Sequence, residues 1–183
     1  MIRPGIIFFG FAAVFAASFG AMRLWTMPVI AGAAGGLPMF DLLLDGYTAE
    51  YGRSYMGRLE PAGRAAYLGA QRVLDTIMPM ALTGALGLGG FLAVVRWSWR
   101  LGILLALVPL AYFAFDMLEN AQVAAILQRG VVRDTMVENA SRFTVLKGVW
   151  LQIAIAVAVF AGLVNGLDRI LGKVRRHGLH GRD

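Results

Sequence analysis

Cysteine is absent from this 183-residue sequence, and histidine occurs only twice, at His177 and His180 near the C-terminus. The chain therefore has no disulfides, no thiolate metal sites and no cysteine nucleophile. Because no apolar segment contains imidazole, a haem or catalytic metal held there by histidine is excluded. We interpret the His-x-x-His pair as part of a solvated tail, with weak metal binding as the alternative, so neither a metal nor a cofactor is expected.

Charged residues are also scarce, at 15% of the chain, whereas hydrophobic residues make up 58% and the mean hydropathy is +0.67. Long apolar runs with charges at their ends are typical of helical membrane proteins. The net charge of +6 forms no basic stripe interleaved with aromatics, which argues against nucleic-acid binding. Fifteen arginines against two lysines indicate a GC-rich bacterial genome. Long runs without alternation favour the inner membrane over an outer-membrane barrel.

The sequence predicts an all-α integral membrane four-helix bundle that forms a single domain over residues 1–183. The first apolar run also has the small residues of a cleavable secretory signal, but we interpret it as a spanning helix that ends near 24 or continues toward Ile30. Pro28, Pro38 and the glycines between them predict irregular chain over 28–46. The predicted spans are about 5–24, 73–95, 101–127 and 148–171, with an outer cap at about 28–70 and a basic tail at 173–183.

An amphipathic interfacial helix is predicted between the first two spans, with Thr48 as its N-cap. Its tyrosines recur every four residues and form a ridge on one side. Such a ridge is typical of the membrane–water interface, and packing on top of the bundle is the alternative. At the other end of the bundle, a tight basic turn at 96–100 carries two tryptophans. The predicted interfacial residues are Tyr47, Tyr51, Tyr55, Trp97 and Trp99.

Other local signals mark helix starts and helix contacts. Pro61 predicts the first turn of a helix, and Pro79 predicts a kink in the second span. Thr135 and Glu138 fit a capping box at the start of a helix that runs unbroken into the fourth span. Glycines at 84–90 lie in an apolar run without the Lys-Ser/Thr of a phosphate-binding loop, so they predict close helix packing.

Basic residues are nearly balanced between the two sides of the predicted membrane. Eight lie on the side of the termini, and nine lie on the other side, where seven acids offset them. Because short segments weigh more than long loops in the positive-inside rule, both termini are predicted to be cytoplasmic.

Several polar residues fall in or at the edge of the apolar spans, where one charge costs roughly 2.5–3.5 kcal/mol on insertion scales. Asp116, Glu119 and Asn120 share one helix face because they are three and four residues apart. Asp116 lies about 22 Å into the third span at 1.5 Å per residue, near the outer boundary of a core of about 30 Å. Opposite charges at this level should pair inside the bundle. The predicted cluster comprises Arg72, Asp75, Tyr112, Asp116, Glu119, Asn120, Arg142 and Lys147.

Three interpretations of this cluster are open at the level of sequence. It is a ring of interhelical salt bridges that fixes helix register, or a polar pocket roofed by residues 40–65 that receives a small ligand or lipid headgroup. A proton or ion path is the third, although the inner halves of the second and third spans contain no further ionisable residue to continue one.

A series of short patterns extends over roughly residues 38–150. It runs Pro38-x-x-Asp41, Gly46-Tyr47-Thr48, Gly63-Arg64-x-x-Tyr67, Asp75-x-x-x-Pro79, Asp116-x-x-Glu119-Asn120 and Phe143-Thr144-x-x-Lys147. The series resembles a group of uncharacterised small bacterial inner-membrane proteins. The resemblance implies a four-span bundle and brings no activity with it.

The sequence predicts a protein that is not an enzyme. Asp75 and Asp116 lie on different spans, as in intramembrane aspartyl proteases, but the Tyr-Asp and Gly-x-Gly-Asp contexts of that family are missing. The leading prediction is an accessory or assembly subunit that contacts membrane lipids and a larger membrane complex. Small-residue faces support it, because they let helices approach closely: Gly10, Ala13 and Ala17, and Gly84 and Gly87. The alternative is a binding protein or small transporter for a lipid or other lipophilic ligand that uses the polar cluster.

Overall fold

The computed structural model describes residues 3–130 and 132–180, with side chains as far as residue 173, so most of the basic tail lies outside the described side chains. Two π-helical turns, Met22–Thr26 and Tyr67–Gln71, and one 3₁₀ turn, Phe40–Leu42, join or separate the α-helices. The α-helices are α1 (Pro4–Ala21), α2 (Met27–Ala33), α3 (Ala49–Arg58), α4 (Pro61–Ala66), α5 (Arg72–Val94), α6 (Trp99–Arg129) and α7 (Asp134–His180).

Within the described residues, four continuous helical segments are long and apolar enough to cross a membrane: Pro4–Ala33, Pro61–Val94, Trp99–Arg129 and Asp134–Lys173. The number of candidate spans is as predicted, and each segment is longer than its predicted span. The unbroken helix into the fourth span is confirmed by α7, which has 47 residues. At 1.5 Å per residue α7 measures about 70 Å, more than twice a hydrocarbon core of about 30 Å.

Helices α5, α6 and α7 pack against one another, and α1 lies mainly against α5. Glycines on α5 allow these approaches. A Cβ added at Gly87 would lie 2.9 Å from the Ala106 carbonyl oxygen of α6, and one at Gly84 would lie 2.7 Å from the Phe11 ring of α1. The predicted role of these glycines in close helix packing is therefore confirmed.

The main hydrophobic core lies at the cap end of the bundle, where α2, α3, the start of α5, the end of α6 and the start of α7 meet. Phe40 and Tyr55 are at its centre and are fully buried. Along the rest of the long helices, large apolar side chains such as Phe9, Phe160 and Leu163 are exposed. Soluble monomers rarely expose apolar surface on this scale, whereas a membrane protein covers it with lipid.

The prediction that the chain becomes irregular at Pro28 is wrong, because the helix continues to Ala33. The π-helical turn just before Pro28 explains the difference. The Met27 N–H donates to the Met22 carbonyl, five residues back, so the turn is wider than in an α-helix. A wider turn relieves the clash between a proline ring and the carbonyl four residues earlier. The irregular segment begins at Ala34 instead.

The predicted capping box at Thr135 is also wrong. Helix α7 begins at Asp134, which places Thr135 inside its first turn rather than at the N-cap. The N–H groups of Met136 and Val137 donate to the carbonyl of Arg133, at 3.0 and 3.2 Å. The helix thus begins two residues earlier than the side-chain pattern indicates, with Arg133 rather than Thr135 at the N-cap position.

Three other predicted helix starts are confirmed or closely matched. The Tyr51 N–H donates to Thr48 Oγ1 at 3.1 Å, so Thr48 is the N-cap of α3. Pro61 occupies the first turn of α4. Ser98 Oγ accepts from the Leu101 N–H at 3.2 Å as the N-cap of α6, so α6 begins two residues before the predicted span.

The irregularity in the second long segment lies upstream of the predicted kink at Pro79. Helix α5 is continuous through Pro79, whereas Gly69 in the second π-helical turn has non-helical angles, φ −95° and ψ −108°. This turn lies at the same end of the bundle as the first π-helical turn.

Candidate functional site

Helices α6 and α7 are joined by a buried ion cluster. Lys147 Nζ lies 3.2 Å from Asp116 Oδ1 and makes a closer ion pair with Glu119 Oε2. The side chains of Lys147, Asp116 and Glu119 are only 7%, 3% and 0% exposed. The spacing explains the arrangement, because acids one turn apart on α6 can flank a single lysine on the facing helix. The prediction that opposite charges pair inside the bundle is confirmed for these three residues.

The remaining carboxylate oxygens of this cluster are also satisfied. Thr144 Oγ1 donates to Glu119 Oε1 at 2.6 Å, and Asn120 Nδ2 donates to Asp116 Oδ2 at 3.1 Å. Each oxygen of Asp116 and Glu119 therefore has one polar partner. Breaking a buried pair by removing one partner is strongly destabilising, whereas a fully satisfied pair is tolerated. The ion pairs and the Thr144 hydrogen bond join α6 to α7.

Asp75 on α5 is different, because its carboxylate is buried without a partner. The residue is 5% exposed, yet no hydrogen bond or ion pair to its carboxylate occurs among the described residues. Its backbone carbonyl accepts from Asn120 Nδ2 at 3.2 Å, which ties α5 to the cluster. With Asp75 included, a single lysine lies among three buried acidic side chains.

A narrow cleft between α5 and α6 leads to Asp75. Asn120 lies beside Asp75, and Arg72 lies one turn earlier on α5, with its side chain exposed. Tyr67 and apolar side chains complete the walls. The interior of the cleft accommodates a group about the size of one water molecule. The lining residues are Tyr67, Leu68, Arg72, Asp75, Asn120, Val123, Ala124 and Leu127.

The tyrosine ridge packs on the bundle rather than standing clear of it. Its three rings surround Phe40, and the Tyr51 hydroxyl donates to the Pro38 carbonyl at 2.5 Å. Burial raises the pKa of the Tyr47 and Tyr55 hydroxyls well above the ordinary value for tyrosine, and the negative charge of Asp41 raises both further. The ridge therefore remains neutral at physiological pH.

The cap is tied to the long helices by polar contacts close to the ion cluster. The Tyr47 N–H donates to Ser141 Oγ on α7 at 2.8 Å. The Tyr67 hydroxyl donates to Asp41 Oδ1, which brings a further carboxylate from the cap to the second π-helical turn. The Tyr47 hydroxyl lies beside Thr144, so the cap covers the cluster from the side of the loops.

Of the predicted cluster residues, Asp75, Tyr112, Asp116, Glu119, Asn120 and Lys147 are brought together, with Tyr112 buried one turn from Asp116. Arg72 stands at the edge of the cleft. Arg142 is exposed and lines a different groove with Asp45 and Val145, so its inclusion in the buried cluster is wrong. Trp97 and Trp99 are exposed beside Arg96 and Arg100, and their interfacial role stays a prediction.

Three buried polar residues of this region were not predicted as site residues. Thr144 lies one turn before Lys147 on the same helix face, a spacing that signals a shared partner. Gln71 is fully buried, and its Oε1 accepts from Thr26 Oγ1, which links the two π-helical turns. Such turns occur frequently at functional sites. No periodic pattern in the sequence distinguishes them, so Thr26 and Gln71 gave no signal.

Within the described residues, no group of three or more histidine, cysteine, aspartate or glutamate side chains is arranged to hold a metal ion. The chain matches no protein-family model, no curated protein and no solved structure. The functional conclusion therefore depends on the geometry of the cluster and its cleft.

Proposed function

We propose that the protein is a four-span membrane protein of the bacterial inner membrane, with both termini in the cytoplasm and the ion cluster near the outer leaflet. The four long apolar segments and their exposed apolar side chains support insertion. Asp75, Asp116, Glu119 and Lys147 all lie toward the cap end of these segments. A small molecule or lipid headgroup at the outer surface thus reaches the cleft without crossing the bilayer.

The proposed function is non-catalytic binding of a lipid or other amphipathic ligand at the cleft between α5 and α6. One observation carries it: the Asp75 carboxylate is buried, lacks a partner within the described residues and lines the cleft. An isolated buried carboxylate is costly unless it is paired or neutralised. A ligand that donates hydrogen bonds or carries positive charge would supply the missing partner, whereas a purely structural cluster gains nothing from Asp75.

Replacing Asp75 with asparagine should abolish retention of this ligand while leaving the fold intact. Losing one hydrogen bond to a charged group, worth about 1.5–3 kcal/mol, lowers affinity at least about tenfold. The measurement is native mass spectrometry of protein released gently from its own membrane. Wild-type protein should carry a lipid-sized adduct that Asp75→Asn lacks.

The matched control is Glu60→Gln, which removes an exposed carboxylate whose side chain makes no capping bond. This variant should keep the adduct. Ligand-free Asp75→Asn should unfold at the wild-type temperature or above it, because a buried carboxyl group that lacks a partner has been replaced by a neutral amide of similar size. A wild-type protein with no adduct, or an adduct unchanged in Asp75→Asn, would contradict the proposed function.

A role as an accessory subunit is a second candidate, and it is supported by the face of α1 that points away from α5. Phe8 and Phe11 of α1 point toward Gly89 and Gly84 of α5. The small residues Gly10, Ala13 and Ala17 lie on the other side of α1 and are exposed. Small residues at such a position let a second membrane helix approach closely. The partner would be a helix of another membrane protein.

Larger side chains on this face of α1 should release the partner without unfolding the chain. We expect gently solubilised wild-type protein to migrate as a hetero-complex, and the double variant Ala13→Leu/Ala17→Leu to migrate alone. Ala114→Leu, at an exposed position of α6, is the matched control and should retain the partner. A monomeric or homo-oligomeric wild-type protein would count against an accessory role.

A further inference from the structure

The cleft beside Asp75 offers hydrogen-bond acceptors at its floor. Asp75 contributes a carboxylate with no partner among the described residues. Asn120 uses its amide N–H groups on Asp116 Oδ2 and on the Asp75 carbonyl, at 3.1 and 3.2 Å. Its Oδ1 accepts no hydrogen bond within the same part of the chain. The floor of the cleft therefore offers a carboxyl group and an amide oxygen to a bound group that donates hydrogen bonds.

The size of the cleft limits what that group can be. Its interior holds a group about as large as one water molecule. A primary ammonium is of this size and has three donors, as the ammonium of lysine does. A trimethylammonium group is larger and has no donor. The floor of the cleft therefore favours a primary amine over a quaternary one.

The edge of the cleft carries a cation. Arg72 lies three residues before Asp75 on the same helix, about 4.5 Å away along the axis, and its side chain is exposed. A guanidinium binds phosphate through paired, charge-assisted hydrogen bonds. It also repels a bare cation such as calcium or magnesium. A carboxyl group that a bound ammonium would ionise at the floor and a guanidinium at the edge together fit a zwitterion.

We propose that this cleft binds a phosphoethanolamine-type headgroup, with the primary ammonium against Asp75 and Asn120 and the adjacent phosphate at Arg72. The inference rests on the proposed function and names its ligand class. The apolar side chains of Leu68, Val123 and Leu127 also line the cleft, and among its described lining residues Arg72 is the one cation available to the phosphate. The same chemistry is available from a phospholipid in the outer leaflet or from a water-soluble phosphoethanolamine.

The test measures how binding depends on methylation of the ligand amine, using delipidated wild-type protein and native mass spectrometry. The probes are phosphatidylethanolamine, its monomethyl and dimethyl forms, phosphatidylcholine and phosphatidylglycerol, all with the same acyl chains. Affinity should fall along the methylation series, by at least about tenfold between the primary and quaternary amines. Phosphatidylglycerol, which lacks the amine, should bind as weakly as phosphatidylcholine.

Variants test which residue binds the ammonium and which binds the phosphate of the ligand. Free O-phosphoethanolamine distinguishes a phospholipid from a water-soluble phosphoethanolamine as the natural ligand. Asp75→Asn should remove the preference for the primary amine, and Arg72→Gln should weaken binding, whereas Arg142→Gln at an exposed position of α7 should do neither. Competition by O-phosphoethanolamine shows that the headgroup alone suffices, and its failure shows that the acyl chains are needed.

Two outcomes overturn the headgroup assignment in distinguishable ways. If phosphatidylethanolamine and phosphatidylcholine bind equally and the binding of each depends on Asp75, the headgroup assignment fails, but the proposed binding of a ligand at the cleft stands. If the binding of no lipid depends on Asp75, the headgroup assignment and the proposed function both fail. The methylation series needs no variant, so it decides the assignment even if Asp75→Asn does not accumulate.

Discussion

Lys147→Met should be the most destabilising single substitution in the bundle. Lys147 is the only cation in contact with Asp116 and Glu119 within the described residues, and all three side chains are buried. Methionine fills a similar volume without charge, so two carboxylates would remain close together in an apolar interior. Removing one partner of a buried ion pair costs about 3–5 kcal/mol. The variant is therefore expected to accumulate poorly and to unfold at a much lower temperature.

The measurement is membrane yield together with thermal unfolding of the purified protein in one detergent. Arg142→Met is the matched control, because it removes a cation from an exposed position of the same helix. That control should behave as wild type, since exposed ion pairs contribute about 0–1 kcal/mol. If Lys147→Met unfolds at the wild-type temperature, the ion cluster does not hold α6 against α7.

A triple variant distinguishes the effect of unpaired charge on stability from the effect of lost packing. Lys147→Met combined with Asp116→Asn and Glu119→Gln removes all three charges and keeps similar volumes. Replacing a buried ion pair as a unit is often neutral or stabilising, so most of the lost stability should return. Because Asp75 is retained, Asp75-dependent ligand binding should persist in the refolded bundle. Recovery of stability with loss of binding would instead place the ligand on the ion cluster itself.

The ion cluster was predictable because charge in apolar segments is both rare and costly. The spacing of Asp116 and Glu119 places them on one face, and Lys147 lies at the same depth on the next span. Arg142 was assigned to the cluster on depth alone, and depth does not specify the side of a helix. Arg142 lies five residues before Lys147, which places it about 140° away around the axis of α7, so it lies in an exposed groove.

The missing partner of Asp75 was not predictable. From the sequence, Arg72 lies less than one turn away and is its obvious counter-ion, but the side chain of Arg72 is exposed and makes no ion pair with Asp75 in the structure. Whether a nearby arginine contacts a buried carboxylate depends on how the helix is rotated about its axis, and this rotation is set by packing. Here packing is set partly by two π-helical turns, which no residue pattern predicts.

The path of the first long helix was predicted incorrectly for a related reason. Pro28 and the glycines after it are strong local signals for a helix end. A widened turn upstream removed the steric conflict at Pro28, and burial of Met27 and Ile30 in the cap core stabilises the continued helix. Tertiary packing thus overrode a local signal, and the loop begins only at Ala34.

Gly87→Leu is the second substitution with a large expected effect, and it acts on packing rather than charge. A Cβ at this position would lie 2.9 Å from the backbone oxygen of Ala106. A carbonyl in the middle of α6 cannot move independently of its helix, so α5 and α6 must separate along the interface. Overpacking a well-packed interior costs about 1–3 kcal/mol or more. Separation would also widen the distance between Asp75 and Asn120, which face each other across the same two helices.

The variant should therefore lose both thermal stability and ligand retention, measured by unfolding temperature and native mass spectrometry on the same samples. Gly162→Leu is the matched control, because nothing lies within 4 Å of an added Cβ there. A glycine in a helix interior is less favourable than leucine by several tenths of a kcal/mol, so the control should be neutral or slightly stabilised. If Gly87→Leu keeps wild-type stability, α5 and α6 do not approach as closely as their glycines indicate. If it loses stability and keeps the ligand, the cleft does not need the close contact between α5 and α6.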